Sequence, residues 1–490
     1  MYKLKMAIGT KSMPIRKEDW VSPDKTRPLA SMKPNTLRWM IWIVSLAFLV
    51  SAYACKGERP SRDRKMNLLL ITLDTLRADH LGFYGYPKNT SPTLDTLASA
   101  SVIFDQAIAQ SAITPVSHAS ILTGLNPYHH QLRSLHGGVG YELPDSCLTL
   151  AELMKANGYA TGGFVSAFPV TLHYGLHQGF ETWDEKFQKE DDIRILTDNG
   201  IVNTGRAQRA ADETTTKAIA WLRQQAKTSF FAWIHYFDVH DPLILPPQEY
   251  LRRFLPKSQN QADVLRAIYD AEIAFIDDQI KRVLRELEDL QIRENTVLAV
   301  LSDHGEGLGD HQWWGHSILY KEQIRLVFLL SVPGRSESLR LSSLVRSIDL
   351  VPTIVELMDL DLPVGSRFDG VSLLELIDKS LTQPLTSYSE SINDLTAYYG
   401  SQMQNESLYS VSDGQWKLIL HREHSRDKRL ELFDLQSDPH ELRDLSEKHP
   451  EIAIRLRNHL EGMHAIVLDP PRPAIDEETK KRLKSLGYIK

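Results

Sequence analysis

The stretch SAITPVSHASILTG, Ser111 to Gly124, sets a hydroxyl and an imidazole four residues apart, at Thr114 and His118. Three other stretches carry matching chemistry. DTLRADH puts Asp74 directly after an apolar run. DHGEGLGDHQWWGHS puts Asp303 and His304 after another, with His316 further on. HYFDVHD holds His235, Asp238, His240 and Asp241. Two carboxylates, an imidazole and a hydroxyl oxygen suit a divalent cation. A cation held by Asp74, Asp303 and His304 would acidify the hydroxyl of a coordinated Thr114, as metals acidify bound water. Thr114 also suits the N-cap of a helix, with Pro115 in its first turn and Gly124 at its end. Such a helix start offers free backbone N–H groups to an anion, and to the oxygen of an attacked phosphoryl or sulfuryl group. His118 falls one turn on, on the same helical face. His240 and His316 are candidates to bind non-bridging oxygens or to protonate a leaving group.

Other polar residues in these stretches read as ordinary. Arg77 and Asp79 are expected to pair, and His311, His173 and His177 to sit on the surface or in the core. Trp313 and Trp314 either line a pocket or pack under a loop.

The elements that position these groups are legible as three short, nearly continuous apolar runs: Asn67 to Leu73, Phe230 to Phe237 and Thr296 to Ser302. That is the pattern of strands buried on both faces of a mostly parallel sheet. Helical periodicity lies between them, in SPTLDTLASAS, LTLAELMKANG, DETTTKAIAWLRQQ and IYDAEIAFIDDQIKRVLRELEDL. Strands alternating with helices predict an α/β fold, a doubly wound, mostly parallel sheet flanked by helices. In such sheets ligands bind beyond the carboxyl ends of the strands, where Asp74, Asp303 and His304 fall. From about residue 385 the pattern changes. LYSVSDGQWKLILHRE reads as a hairpin turning at Asp413-Gly414, LELFDL as a strand and HPEIAIRLRNHLEGM as a helix. The expected division is a leader over 1–55, a tether over 56–65, a catalytic domain over 66–384 and a small C-terminal α+β subdomain over 385–490.

The chain has 490 residues, 42% hydrophobic and 24% charged, with a net charge of -7. No basic run stands in the body, so nucleic acid is excluded as the main partner. Two cysteines, Cys55 and Cys147, exclude a disulfide framework and a cysteine-based zinc site. Trp39 to Ala54 is apolar and uncharged, short for a membrane span and suited to a signal-peptide core. SAYAC then resembles the cleavage box of bacterial lipoproteins. The expectation is a start at Met32 and a mature N-terminus lipidated at Cys55; the alternative is an uncleaved anchor. Both place the body outside the cytoplasm, in the periplasm or at the cell surface.

Taken together, the blocks resemble the sulfatase family of the alkaline phosphatase superfamily. NLLLITLDTLRADHLGFYG resembles its opening strand and first metal Asp, TPVSHASILTG its nucleophile signature and HYFDVHDP its substrate-contacting His motif. VLAVLSDHGEGLGDHQWWGH resembles its second metal block. DGQWKLI and ELFDLQSDPHELRDL resemble its C-terminal subdomain. The resemblance implies a metal-dependent hydrolase of sulfuric or phosphoric mono- or diesters, acting on a small molecule, glycan or lipid. It implies one or two divalent ions (zinc, manganese or calcium) on Asp74, Asp303, His304 and Thr114. Thr114 becomes the nucleophile, and His240 and His316 contact the substrate. The chain departs from the family in three places. Thr114, Val116 and His118 stand where sulfatases have Cys or Ser, Pro and Arg, so no formylglycine is expected. Thr75 stands where many have a second Asp. The family's Lys-x-His pair is missing from GGFVSAF, Gly162 to Phe168. A single threonine hydroxyl leans the chemistry toward phosphate-type esters, since the covalent ester must then be broken by water. His304 in place of the frequent Asn leans the metal toward zinc or manganese. The alternatives are a phosphoethanolamine-type transferase and a non-catalytic binding protein on the same scaffold.

Overall fold

The computed structural model describes residues 65–135, 142–187, 194–197, 200–203, 207–240, 245–257, 260–379, 385–392, 406–423, 426–463 and 477–485. Met32, the apolar segment, Cys55 and Asp241 lie outside the described residues. Among the described residues no helix is long and apolar enough to cross a membrane.

The main sheet has nine strands. They are β1 Asn67–Leu73, β2 Val102–Ile108, β3 Ala160–Phe164, β4 Thr182–Asp184, β5 Phe230–Tyr236, β6 Thr296–Ser302, β7 Arg325–Leu326, β8 Phe328–Ser331 and β9 Leu339–Arg346. The order is β9-β2-β8-β6-β1-β5-β3-β4, with β7 paired to β2. β6, β1, β5, β3 and β4 run parallel, and only β7 and β8 run against them. The mostly parallel α/β sheet expected from the apolar runs is therefore present, and the first and third runs match β1 and β6 residue for residue.

β1 has no polar face because both its faces are covered. Leu68 and Leu70 enter one core with helices α2 Thr114–Thr123, α3 Leu150–Ala156 and α6 Leu350–Leu357. Leu69, Ile71 and Leu73 enter the other, with α1 Pro92–Ala98, α4 Ala211–Gln225 and α5 Gln261–Asp289. α5 starts seven residues before IYDAEI, capped by the Asn260 side chain on Ala262 N–H at 2.9 Å. In register, Leu73 lies beside both Ser302 and Tyr236. Asp74, Asp303 and the β5 exit therefore emerge at one edge of the sheet.

A second, antiparallel sheet holds β10 Ser387–Ile392, β11 Glu406–Ser412, β12 Trp416–Glu423 and β13 Arg426–Asp434, in that order. The β11–β12 hairpin turns at Asp413-Gly414 as the sequence indicates. One face packs Tyr409, Val411, Leu418 and Leu420 against Leu456 and Leu460 of α7 Pro450–Gly462. Glu390 of β10 pairs with buried Arg133, and its backbone bridges to Ser111, three residues before Thr114.

Candidate active site

Four atoms define the centre. Asp74 follows β1 and Asp303 follows β6, and both are fully buried. Each carboxylate commits one oxygen to the protein and keeps the other bare. Asp303 Oδ1 accepts the backbone N–H groups of His304 (2.7 Å) and Thr75 (3.1 Å), while its Oδ2 is buried without a hydrogen-bond partner. Asp74 Oδ2 lies 3.2 Å from His235 Nε2, while its Oδ1 is buried and bare. His304 donates Nδ1–H to the Gly305 carbonyl at 3.0 Å, so its Nε2 keeps a lone pair, 3.3 Å from Thr114 Oγ1. The Thr114 hydroxyl also bonds Asp74. Donor atoms of Asp74, Asp303 and His304 lie within 4.8 Å of one another.

The electrostatics favour a cation. Burial first, then repulsion from Asp303 and Glu306, pushes the Asp74 carboxyl well above its usual range. Burial likewise pushes Asp303 up to about 6. Two dry carboxylates with bare oxygens, a lone-pair nitrogen and a hydroxyl fit a divalent ion of mixed oxygen and nitrogen preference.

Thr114 is not the helix cap. It opens the first turn of α2, Ile113 is the capping residue and no side chain caps the end. Extended backbone at Ile113 leaves the Thr114 hydroxyl to turn toward His304. Gly124 ends the helix as expected, at φ +69°. All ten residues of α2 are buried, and its small side chains let it sit flat on the sheet. Ser117 pins it by donating to the Asp303 carbonyl at 2.6 Å.

His118 sits one turn beyond Thr114, but its ring turns back. Nδ1–H donates to the Thr114 carbonyl at 2.8 Å. Nε2 accepts from the Thr72 hydroxyl at 3.1 Å, and Thr72 in turn accepts Trp233 Nε1–H at 2.9 Å. The sequence places His118 among the catalytic groups; the geometry ties its ring to the start of α2 and sets its Nδ1 3.5 Å from Asp303 Oδ2. His235 is also held. Its Nδ1 accepts the Ser166 backbone N–H at 3.3 Å, so the proton is on Nε2 and faces Asp74. Asp74, His118 and His235 are close enough to enclose an ion. Their ring nitrogens are engaged by protein groups, which leaves the Asp74–Asp303–His304 cluster as the better cation site.

His240 and His316 meet at the mouth. His316 donates Nδ1–H to the Ala112 carbonyl at 3.0 Å, and its Nε2 lies 3.1 Å from His240 Nε2. His240 therefore carries the shared proton on Nε2. Its ring stacks on Phe237 at 4.2 Å, and the His316 ring lies 4.6 Å from that of His304. Burial first, then the neighbouring imidazoles, pulls both pKa values far down, His316 to about 3. Both rings are neutral at neutral pH.

The remaining expectations fall outside this centre. Arg77 pairs with Asp79 at 2.7 Å as expected, and also with Asp310 at 2.6 Å. Trp313 donates to the His316 carbonyl at 3.3 Å, whereas Trp314 carries the Arg266 guanidinium on its face. His311 stacks on Tyr320, His173 lies tilted against Phe168, and His177 lies against Trp183. Where the Lys-x-His pair is missing, Ser166 meets His235, and Arg209 is tied to Asp184 and Thr214. Sequence reasoning missed Glu306, buried beside the two aspartates and raised by that burial to about 8. It also missed the backbone role of Thr75, whose φ of +52° aims its N–H at Asp303. A β-branched residue in that region is a strained outlier, one that function often accounts for.

This centre lies at the carboxyl edge of a doubly wound sheet, where such folds bind their ligands. The sulfatase family model matches residues 66–360, and the model described as N-sulphoglucosamine sulphohydrolase, C-terminal, matches residues 309–465. The chain belongs to the sulfatase family, and it is an ester hydrolase of that family. It is 24% identical to arylsulfatase K of Rattus norvegicus, over 86% of this chain and 82% of that one. It is 27% identical to an ulvan-active sulfatase of Formosa agariphila, over 71% and 72%. The fold is also that of the phosphonate monoester hydrolase of Agrobacterium radiobacter, at a TM-score of 0.68 and 20% identity, over 82% of this chain and 96% of that one.

Proposed function

We propose that the chain hydrolyses a sulfate ester with Thr114 as the nucleophile, without formylglycine, and that Asp74, Thr114, Asp303 and His304 hold one divalent cation. The observation that carries this reading is the Thr114 hydroxyl, 3.3 Å from His304 Nε2 and bonded to Asp74, beside two bare carboxylate oxygens. When bound, the cation supplies positive charge that favours the ionised hydroxyl and attracts an anionic ester. Thr114 Oγ1 attacks sulfur, and the bond from sulfur to the alcohol oxygen breaks. The Thr114 proton passes to the Asp74 carboxylate that its hydroxyl bonds, and the His240–His316 pair, once protonated from solvent, gives a proton to the departing alcohol and returns to its neutral state. Water then attacks sulfur, releases sulfate and restores the threonine. The first turn of α2 offers its N–H groups to the transferred group's oxygens.

A sulfated glycan is the substrate class that the ulvan-active relative supports. A phosphoric ester is the second reading, favoured by the single hydroxyl at Thr114, since phosphoryl esters of threonine yield to water without a second hydroxyl. The same fold in a phosphonate monoester hydrolase is compatible with it. The basic N-terminus, the apolar segment and SAYAC support an extracytoplasmic protein lipidated at Cys55.

The test is a paired screen of the full chain, loaded in turn with zinc, manganese and calcium, on nitrophenyl sulfate, phosphate and phosphodiester. Sulfate turnover supports the first reading, and phosphate or diester turnover without it supports the second. No turnover with any metal overturns both.

A further inference from the structure

A cavity of about 560 Å³ opens between the main sheet and the serine-bearing face of the second sheet. It shares no residue with the centre at Thr114. Its size is that of a small-molecule site.

Its walls carry both signs of charge with cations in excess, Lys321, Arg325 and Lys417 against Asp105 and Glu441. Asp105 is already paired with Arg340, and Lys417 with Glu441 at 2.8 Å. Lys321 and Arg325 are left over. Lys321 Nζ bonds only the Pro439 carbonyl (3.0 Å), and Arg325 Nε only the Asp105 carbonyl (3.0 Å). Among the described residues neither makes an ion pair; Glu441 and Asp79 act on Lys321, and Asp79 on Arg325, only at longer range, so the walls keep an excess of positive charge. Burial, and then Arg325, pulls the pKa of Lys321 down, a cost that a bound anion would relieve.

The same walls are rich in neutral hydrogen-bonding groups. Ser387 and Ser410 line the cavity from β10 and β11, and their hydroxyls bond no protein group among the described residues. Gln106 and Gln436 add side-chain amides, and Ile108, Leu344 and Leu435 supply an apolar wall. Hydroxyls and amides for a ring's oxygens, aliphatic side chains for its C–H face and two cations for an acid group describe one ligand chemistry. We propose that this cavity is a second binding site, for a small polyhydroxylated anion such as a sulfated or carboxylated monosaccharide. Inorganic sulfate alone would leave the serines and amides unused.

The test is calorimetric titration of the full-length Thr114→Ala protein with glucosamine 6-sulfate, glucuronate and neutral N-acetylglucosamine. Lys321→Ala and Ser410→Leu are added to that background, and thermal unfolding checks that each variant is folded. At least one charged sugar should bind at a site whose affinity falls tenfold or more in both cavity variants; which sugar does so assigns sulfate or carboxylate as the acid group. Neutral sugar should bind at least tenfold more weakly there. In the enzyme with Thr114 intact, Lys321→Ala should leave nitrophenyl sulfate turnover unchanged, which separates this site from the catalytic reading. If Ser410→Leu does not fold, Lys321→Ala decides. Binding indifferent to Lys321→Ala, no binding by either charged sugar, or equal binding of the neutral sugar overturns the proposal.

Discussion

His235 Nε2 lies 3.2 Å from Asp74 Oδ2, and the Ser166 backbone N–H on the opposite ring nitrogen fixes which of the two carries the proton. One oxygen of Asp74 is thereby spent on a hydrogen bond, and the other is presented bare. Asp303 achieves the same with two backbone N–H groups. The candidate cation site is thus shaped as much by the donors behind the carboxylates as by the carboxylates themselves.

His235→Leu should weaken metal binding by about 10- to 100-fold, the usual cost of losing such a partner. His235→Gln should recover much of it, because the amide can donate to Asp74. Isothermal titration with zinc and manganese reads both variants. Equal affinity in wild type and His235→Leu would remove His235 from the site.

His240→Gln and His316→Gln should each lower kcat by about 10²- to 10⁴-fold, the range for acid–base groups. The loss should be smaller on substrates with good leaving groups, which need less protonation. Kinetics on a series of aryl esters checks this. A loss independent of the leaving group would restrict both residues to binding.

Glu306 makes the metal-free protein lose stability as pH rises. Its pKa is about 8 when folded, against an ordinary 4.5. Between those values the unfolded chain has released the proton and the folded chain holds it, so stability falls with rising pH and levels off above about 8. Around pH 7 the buried histidines, whose pKa values are lowered, act in the opposite sense, and Asp238, raised to about 7, acts in the same sense. The Glu306 contribution is therefore the difference in slope between wild type and Glu306→Gln, which should approach about 1.4 kcal/mol per pH unit near pH 7 and shrink when a cation is bound. Chemical denaturation of both proteins in chelator from about pH 6 to 8 measures it, and equal slopes would contradict it.

Buried Arg133 ties the segment after α2 to Glu390 of β10 through its Nε (2.8 Å) and a terminal guanidinium nitrogen. Arg133→Ala should destabilise by about 3–5 kcal/mol, because it strands a buried carboxylate. Denaturant unfolding checks this, and a change below about 1 kcal/mol would show that water compensates Glu390.

The chain spelled out β1, β5 and β6 because strands covered on both faces become uninterrupted apolar runs. The residues just after β1 and β6 then supplied Asp74, Asp303 and His304. β3 was illegible for the opposite reason. Its ATGGF carries two glycines, and the structure explains them: a Cβ on Gly162 would stand 2.8 Å from the Trp221 ring, and one on Gly163 2.4 Å from Trp183. Close ring packing there replaced strand propensity. The roles of His118 and His235 were hidden because a histidine's task depends on what holds its other nitrogen. Here that is a carbonyl at Thr114 and an N–H at Ser166, neither of which leaves a mark in residue type. The Thr-Pro pair at 114–115 looked like a cap because caps and exposed nucleophiles both favour a hydroxyl at a helix start.

The most direct test of Thr114 as nucleophile is rapid quenching of the metal-loaded enzyme with a poor, slowly released substrate, followed by peptide mapping. The account predicts a sulfuryl or phosphoryl group on the Thr114 peptide. It also predicts that Thr114→Ala loses at least about 10³-fold in kcat/KM with little change in Tm. Full turnover by Thr114→Ala, with no modified peptide in the wild type, would contradict it.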